Sequence, residues 1–257
     1  MTAPVRVAIA GASGRMGLAL LEAAAQTEGV MLGAAIDLSA STWGGVSIGT
    51  DVGSALTNSD VLIDFTRPAG TVEHVRECLA QKRAMVIGTT GFATEQLAEI
   101  KKAAKKIPIV MAPNMSIGVN VALKLVEMAA RALGPDYDIE VFEMHHKKKV
   151  DAPSGTALRL GEVAARARAA TLERDGVFTR HGVTGERKAG SIGFSVARGG
   201  DTVGDHTVFF AGPGERIEIT HRSSSRATYA QGAMRAARFV AGKTPGLYDM
   251  DDVLGLS

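Results

Sequence analysis

Val5-Arg6-Val7-Ala8-Ile9-Ala10-Gly11-Ala12-Ser13-Gly14-Arg15-Met16-Gly17 is the stretch whose reading decides the fold. Val5 to Ala10 is a short, β-branched apolar run of the kind that forms a buried strand, and Leu18 to Ala25 repeats apolar residues at helical spacing. Between them lies a glycine turn spaced GxxGxxG, a departure from the commoner GxGxxG. Glycines permit a sharp turn and let a pyrophosphate approach the backbone, while the helix start supplies N–H donors and the positive end of its dipole. Val30 to Ile36 is the next apolar run, and Asp37 closes it twenty residues after Gly17, where an acid can hold ribose hydroxyls. Strand, glycine turn, helix, strand and acid together predict a dinucleotide-binding domain.

The alternation continues outward from that stretch. Asp60 to Thr66 is expected as a strand ending at Arg67-Pro68, Ala69 to Gln81 as a helix, and Ala84 to Ile87 as a strand ending in Gly88-Thr89-Thr90-Gly91. A helix from Thr94, its expected cap, to Lys105 leads to a strand at Ile107 to Met111 and to the turn Ala112-Pro113-Asn114-Met115. A long helix from about Val121 to Leu133 follows, whereas Trp43 to Gly53, glycine-rich and polar enough for a loop, has no periodicity and is left unassigned. Strands alternating with helices predict a doubly wound parallel α/β sheet, with the polar turns after Ala10, Phe65, Ile87 and Met111 along one edge.

After Gly134-Pro135 the texture changes to an α+β pattern. A strand at Ile139 to Met144, a helix from Thr156 to about Arg168 and strands at Ile192 to Ala197, Thr207 to Ala211 and Glu215 to Thr220 are expected, with an amphipathic helix from Thr228 to Gly242 that packs back on the first domain. The domain boundaries are therefore set at residues 1–115, completed by 226–257, for dinucleotide binding, and 116–225 for substrate binding and oligomerisation.

The most chemically loaded stretch is Glu143-Met144-His145-His146-Lys147-Lys148-Lys149-Val150-Asp151-Ala152-Pro153-Ser154-Gly155-Thr156. Two imidazoles, able to carry a proton near neutral pH, stand beside three lysines at the end of a strand. Ser154 then offers an N-cap, and the N–H groups of the helix start form an anion seat. Proton donors are thus adjacent to a place for a carboxylate.

Composition excludes several classes. With 46% apolar and 22% charged residues and no apolar run long enough to span a bilayer, a soluble globular protein is expected. The first residues lack the features of a signal peptide, and Cys78 is the single cysteine, so a reducing cytoplasm fits. A net charge of +2 and basic clusters without interleaved aromatics argue against nucleic acid. No metal-ligand spacing stands out.

Taken in order, GASGRMG (Gly11 to Gly17), DFTRP (Asp64 to Pro68), GTTG (Gly88 to Gly91), SIGVN (Ser116 to Asn120) and HHKKKVDAPSGTAL (His145 to Leu158) resemble the 4-hydroxy-tetrahydrodipicolinate (dihydrodipicolinate) reductase family over nearly the whole chain. The resemblance implies NADH- or NADPH-dependent reduction of 4-hydroxy-tetrahydrodipicolinate to tetrahydrodipicolinate with loss of water, in bacterial lysine and diaminopimelate biosynthesis, by a cytoplasmic homotetramer. It also implies that Gly11, Ala12, Ser13, Gly14, Arg15 and Met16 hold the cofactor pyrophosphate, and Asp37 the adenosine ribose. Gly88, Thr89 and Thr90 fall on the nicotinamide side, and Ala112, Pro113, Asn114 and Met115 on its amide. His146, Gly155 and Thr156 are implied to bind the substrate, and His145 and Lys149 to have donor roles in catalysis.

The chemistry of the residues agrees with that assignment. A ring bearing two carboxylates needs paired anion sites and a proton to accompany the hydride: Thr156 and the Gly155 N–H can bind one carboxylate, His146 with Lys149 another. The residues do not choose between His145 and Lys149 as the proton source. Leu38 stands where NADPH-preferring members commonly have arginine, so NADH is expected to serve at least as well. Two other readings share the alternating domain: a dinucleotide sensor, which would need neither His145 nor Lys149, and a different dehydrogenase, which would lack the DAPSGT helix start.

Overall fold

The computed structural model describes residues 3–256. Within them the chain divides into two compact units, one running to Ile117 and resuming at Arg226, the other spanning Gly118–Ser225.

The first unit opens with β1 (Val5–Ala10), α1 (Arg15–Gln26), β2 (Val30–Ile36), β3 (Ser41–Trp43), β4 (Val46–Gly49), α2 (Val52–Thr57), β5 (Val61–Asp64), α3 (Pro68–Ala80), β6 (Ala84–Ile87), α4 (Thr94–Ala104) and β7 (Pro108–Met111). Period-two alternation sends Val7, Ile9, Val61, Ile63 and Val86 into one buried cluster and Ala8, Ala10, Leu62, Met85 and Ile87 into another, so both faces of these strands are covered. That is why they read as continuous apolar runs.

The second unit follows with α5 (Ile117–Leu133), β8 (Asp138–His145), α6 (Gly155–Ala167), α7 (Leu172–Asp175), β9 (Gly176–Val177), β10 (Ile192–Arg198), β11 (Gly204–Gly212) and β12 (Glu215–Ser223). Its five strands run β12-β11-β8-β10-β9, with β8, β9 and β10 parallel and β11 antiparallel to both neighbours. Val126 and Ala130 of α5 and Leu160 and Ala164 of α6 pack on Ile139, Val141, Phe194, Val208 and Phe210. Phe142, Val196 and Ile217 remain exposed, which leaves apolar side chains outside this core.

The chain then returns to the first unit with α8 (Ala227–Val240), β13 (Gly246–Tyr248) and α9 (Met250–Leu254). Ala230, Ala233, Met234 and Ala237 of α8 are buried in the cluster that contains the β1 and α1 side chains. The first sheet has the order β13-β7-β6-β5-β1-β2-β4-β3, and β3 alone runs antiparallel to its neighbour. The chain builds outward from β1 on one side through β2, then reverses to β5 on the other. Parallel β1, β5, β6 and β7 therefore end on one edge, and β1 lies at the topological switch, where open α/β sheets bind ligands.

One unassigned stretch is resolved and two local expectations are corrected. The stretch Trp43 to Gly53 is not all loop: it contains β4 and the start of α2, and Gly44 and Gly45, both at positive φ, turn β3 into β4. Thr94 does not cap α4; it is the first helical residue, Ala93 is the N-cap, and the Gln96 side chain accepts from the Ala93 N–H at 2.9 Å. The long helix α5 starts at Ile117, four residues before the expected Val121.

Candidate active site

The glycine turn is built by backbone contact. Gly11 has φ +69°, a conformation that favours glycine, and a Cβ on Gly17 would lie 2.1 Å from the Gly11 carbonyl and 2.6 Å from the Ala12 Cα. The helix start can therefore close against the end of β1. Gly14 is the N-cap of α1 and brings no side-chain cap. Ala12 N–H donates to the Ile36 carbonyl at 3.0 Å, which ties the turn to the end of β2. As a result Asp37 reaches the turn, its Oδ2 accepting from Ser13 N–H at 2.8 Å and its Oδ1 from Leu38 N–H at 2.7 Å. Burial raises the Asp37 pKa, but these N–H donors and the Ser13 hydroxyl outweigh it and hold the carboxyl below its ordinary range, hence anionic at neutral pH. Leu38 is fully solvent-facing and carries no charge.

Beside this turn, a second carboxylate organises the loops after β5 and β6. Asp64 is fully buried, and its Oδ1 accepts from Thr66 N–H and Thr66 Oγ1, both at 2.7 Å, and from Thr89 Oγ1 at 3.3 Å. His74 Nδ1 lies 2.7 Å from Asp64 Oδ2, and Thr71 Oγ1 donates to Thr89 at 2.9 Å. Gly88 leaves space for the Phe65 ring, whose atoms would come within 2.1 Å of a Cβ there. Thr89 is thus buried in this network, whereas Thr90 is exposed. Further along the edge, Ala112 N–H donates to the Ile87 carbonyl at 3.1 Å, and the Asn114 side chain accepts from Ser116 N–H at 2.9 Å. Gly232 of α8 approaches the Met115 carbonyl so closely that a Cβ would sit 1.7 Å from it. Gly11 to Met16, Asp37, Gly88 to Thr90 and Ala112 to Met115 therefore all lie at the carboxyl edge of parallel strands. An open glycine cradle with an ionised acid beside it suits a dinucleotide.

In the second unit, β8 delivers Glu143 and His145 to one face by its two-residue period, and both are buried. The following loop is pinned by backbone bonds from His146 N–H to the Thr202 carbonyl at 2.8 Å and from Gly199 N–H to the His145 carbonyl at 2.9 Å. Lys147 and Lys148 are exposed, whereas Lys149 is half-buried and its Nζ donates to Asp151 Oδ1 at 2.8 Å. That contact gives Asp151 a structural part and lowers its pKa, the Lys149 hydrogen bond being the main cause.

Ser154 caps α6 as expected, its Oγ accepting from Ala157 N–H at 3.2 Å. No atom outside the adjacent chain lies within 4 Å of a Cβ built on Gly155, so this helix start faces open space. Sequence reasoning missed three partners here. Glu143, Arg198 and His206 converge on His145 and Ser154: Glu143 contacts His145 Nδ1 at 2.6 Å and Arg198 at 2.8 Å, and His206 Nε2 lies 2.9 Å from Ser154 Oγ. For Glu143 a signal existed, since it precedes His145 by two positions on a strand. Arg198 and His206 are 55 and 52 residues from their partners, a separation that no local pattern reveals. Asp64 and His74 were also missed as partners, although they lie only ten residues apart. Burial pushes the His206 pKa down to about 4, so this imidazole is neutral near neutral pH.

Among the described residues, no helix is long and apolar enough to cross a membrane, and no cluster of His, Cys, Asp and Glu is arranged to hold a metal ion. Cys78 is fully buried in α3, and burial raises its thiol pKa well above the ordinary range, which leaves it a packing residue.

Comparison with known proteins gives a consistent result. Residues 5–115 match the family model of the dihydrodipicolinate reductase N-terminus and residues 118–254 that of its C-terminus. The chain is 60% identical to 4-hydroxy-tetrahydrodipicolinate reductase of Bordetella pertussis and 56% identical to that of Nitrosospira multiformis, each over 98% of both chains. Among solved structures it is similar to dipicolinate-bound dihydrodipicolinate reductase from Paenisporosarcina sp. TG-14, with a TM-score of 0.81, 27% identity and coverage of 97% of this chain and 98% of the other. With both halves matched and relatives this similar along nearly their full length, the chain belongs to the dihydrodipicolinate (4-hydroxy-tetrahydrodipicolinate) reductase family of nicotinamide-dependent oxidoreductases.

Proposed function

We propose that this chain reduces 4-hydroxy-tetrahydrodipicolinate to tetrahydrodipicolinate, with loss of water, in lysine and diaminopimelate biosynthesis. The observation that carries the reading is the convergence of His145, half-buried Lys149 and the Ser154-capped start of α6 in a chain of this family. Residues 1–115 with 226–257 serve as the dinucleotide-binding domain, and 116–225 as the substrate and oligomerisation domain. Gly11, Ala12, Ser13, Gly14, Arg15 and Met16 bind the pyrophosphate and Asp37 the ribose. Gly88, Thr89 and Thr90 flank the nicotinamide, and Ala112, Pro113, Asn114 and Met115 its amide. NADH serves at least as well as NADPH, because ionised Asp37 repels a 2′-phosphate and Leu38 offers it no cation.

When bound, the nicotinamide supplies the hydride. The protein's part is to seat a flat dianion and to place a proton donor. Gly155 N–H and Thr156 bind one carboxylate at the α6 start, and His146 with Lys149 neutralises the other. The ring hydroxyl and a proton from the neighbouring carbon leave as water, which makes the ring unsaturated. Once hydride reaches the carbon that bore the hydroxyl, His145 and Lys149 stabilise the charge that develops and deliver a proton to the neighbouring carbon. The exposed apolar residues Phe142, Val196 and Ile217 fit burial against further copies of the chain in a homotetramer. A cytoplasmic setting fits this biosynthetic role.

The test is a spectrophotometric assay with substrate generated enzymatically. Nicotinamide absorbance is expected to fall only when substrate is present, with competitive inhibition by pyridine-2,6-dicarboxylate that weakens about tenfold or more in Thr156→Val, the scale of one hydrogen bond to a charged group. Cofactor binding without turnover would favour the sensor reading, and unchanged inhibition in Thr156→Val would overturn the carboxylate seat.

A further inference from the structure

Glu143 is only 1% exposed, yet it receives four hydrogen bonds from three parts of the second unit. His145 Nδ1 lies 2.6 Å from Oε2, and Ser154 N–H donates to Oε1 at 3.0 Å. Arg198 grips both oxygens, Nη1 to Oε2 at 2.8 Å and Nη2 to Oε1 at 2.9 Å, and its Nη2 also donates to the Asp151 carbonyl at 2.6 Å. One carboxylate thereby joins the imidazole, the start of α6 and the loop that carries Lys149. Burial raises the Glu143 pKa, but the donors from Arg198, His145 and Ser154 outweigh it and keep the group ionised at neutral pH.

An ionised carboxylate only accepts, so His145 Nδ1 must carry the hydrogen between them. In the neutral ring the lone pair is then on Nε2, and in the protonated ring the charge faces an anion. Nε2 lies over Gly204, where a Cβ would come within 2.8 Å of it. The other charged or titratable groups around the ring are Arg198 from β10, His206 from β11 with its ring centroid 5.1 Å away, His221 of β12 beyond it, and Lys149 and Asp151 of the loop.

We propose that Glu143, clamped by Arg198, is a positioning residue: it fixes His145 as the Nδ1–H tautomer with Nε2 as the working nitrogen, and holds that ring in register with the carboxylate seat at Ser154. This rests on the reading of His145 as a proton donor, and the test separates the two. The full chain is labelled with 15N-histidine, the His145 signals are assigned from His145→Asn, and wild type and Glu143→Gln are titrated by NMR beside pH profiles of kcat and kcat/KM.

In the wild type, neutral His145 is expected to show Nδ1–H. In Glu143→Gln the amide can donate as well as accept, so Nδ1–H is no longer enforced and part of the neutral ring is expected as Nε2–H. The maximal kcat falls more than tenfold while the NADH dissociation constant stays within twofold. The same tautomer in both proteins would overturn the proposal. A changed tautomer with untouched kcat and kcat/KM would uphold the positioning of the ring and refute its donor role. Should Glu143→Gln fail to fold, Gly204→Ala leaves Glu143 in place and crowds Nε2: lowered kcat with Nδ1–H retained supports the assignment, and undiminished kcat overturns it.

Discussion

The starts of α1 and α6 both offer backbone N–H groups that suit an anion, but glycine has opposite meanings in them. At α1, a side chain on Gly17 would collide with the backbone of Gly11 and Ala12, and no side chain caps the helix. At α6, Ser154 caps the helix, and a Cβ on Gly155 meets nothing within 4 Å outside its own local chain. The first glycine is required by the fold, whereas the second leaves room for a ligand. Their electrostatic settings differ too. The α1 turn has Asp37 drawn against it, while the α6 start stands among Glu143, Arg198, His206, His145 and Lys149.

The largest predicted effect breaks this comparison or confirms it. Gly17→Ala is expected to destabilise by about 3 kcal/mol or more, as overpacking against backbone does, and to lower Tm by roughly 6–12 °C. Gly155→Ala should leave Tm within about 2 °C and instead weaken inhibition by pyridine-2,6-dicarboxylate. Thermal melts of the two variants check this directly. Equal Tm losses would erase the distinction between a folding glycine and a ligand glycine.

The next effect concerns what supports the α6 cap. His206 has its pKa lowered to about 4, against about 6.5 for an unfolded histidine. Above pH 6.5 both states are neutral and the group has no effect. As pH falls from 6.5 to 4 the unfolded chain binds the proton and the folded chain does not, so stability is lost, by up to about 3 kcal/mol from this residue. Denaturant midpoints across that window should decline in the wild type and decline less steeply in His206→Gln. An unchanged slope in the variant would show that His206 does not titrate as described.

The smallest effect sharpens the α1 side. NADPH should not exceed NADH in kcat/KM by more than tenfold, ~1.4 kcal/mol in transition-state terms. Leu38→Arg should raise the NADPH value several-fold by supplying the missing cation. Initial rates with each cofactor at moderate salt decide the point.

These contrasts also explain what could be read in the sequence. The strands of the first sheet are buried on both faces, and each feeds a turn on the same edge, so Val5 to Gly17, Asp60 to Thr66 and Ala84 to Gly91 carried their roles in local pattern. The hairpin of β3 and β4 did not, because strands of three and four residues around Gly44-Gly45 are too short to show a period. The three-residue β13 was missed for the same reason: it is defined by pairing with β7, not by its own residues. In the candidate site the motif residues were legible and their supports were not. Asp64 was read as a strand and motif residue with no role of its own, and neither Arg198 nor His206 was given one. Their function depends on partners that only the folded sheet brings near.

The most direct test of the account compares Lys149→Ala with Lys147→Ala and Lys148→Ala in one experiment, measuring kcat by substrate-dependent NADH oxidation and NADH affinity by titration without substrate. The half-buried Lys149, paired with Asp151, is predicted to be distinct from its exposed neighbours. Its loss should lower kcat by about 10²-fold or more, the range for a positioned proton donor, with NADH affinity near wild type. Lys147→Ala and Lys148→Ala should alter little beyond the salt dependence of kcat/KM. Equal losses in all three variants would contradict the account, since the loop would then act as a diffuse positive patch and not as a site with a specific donor.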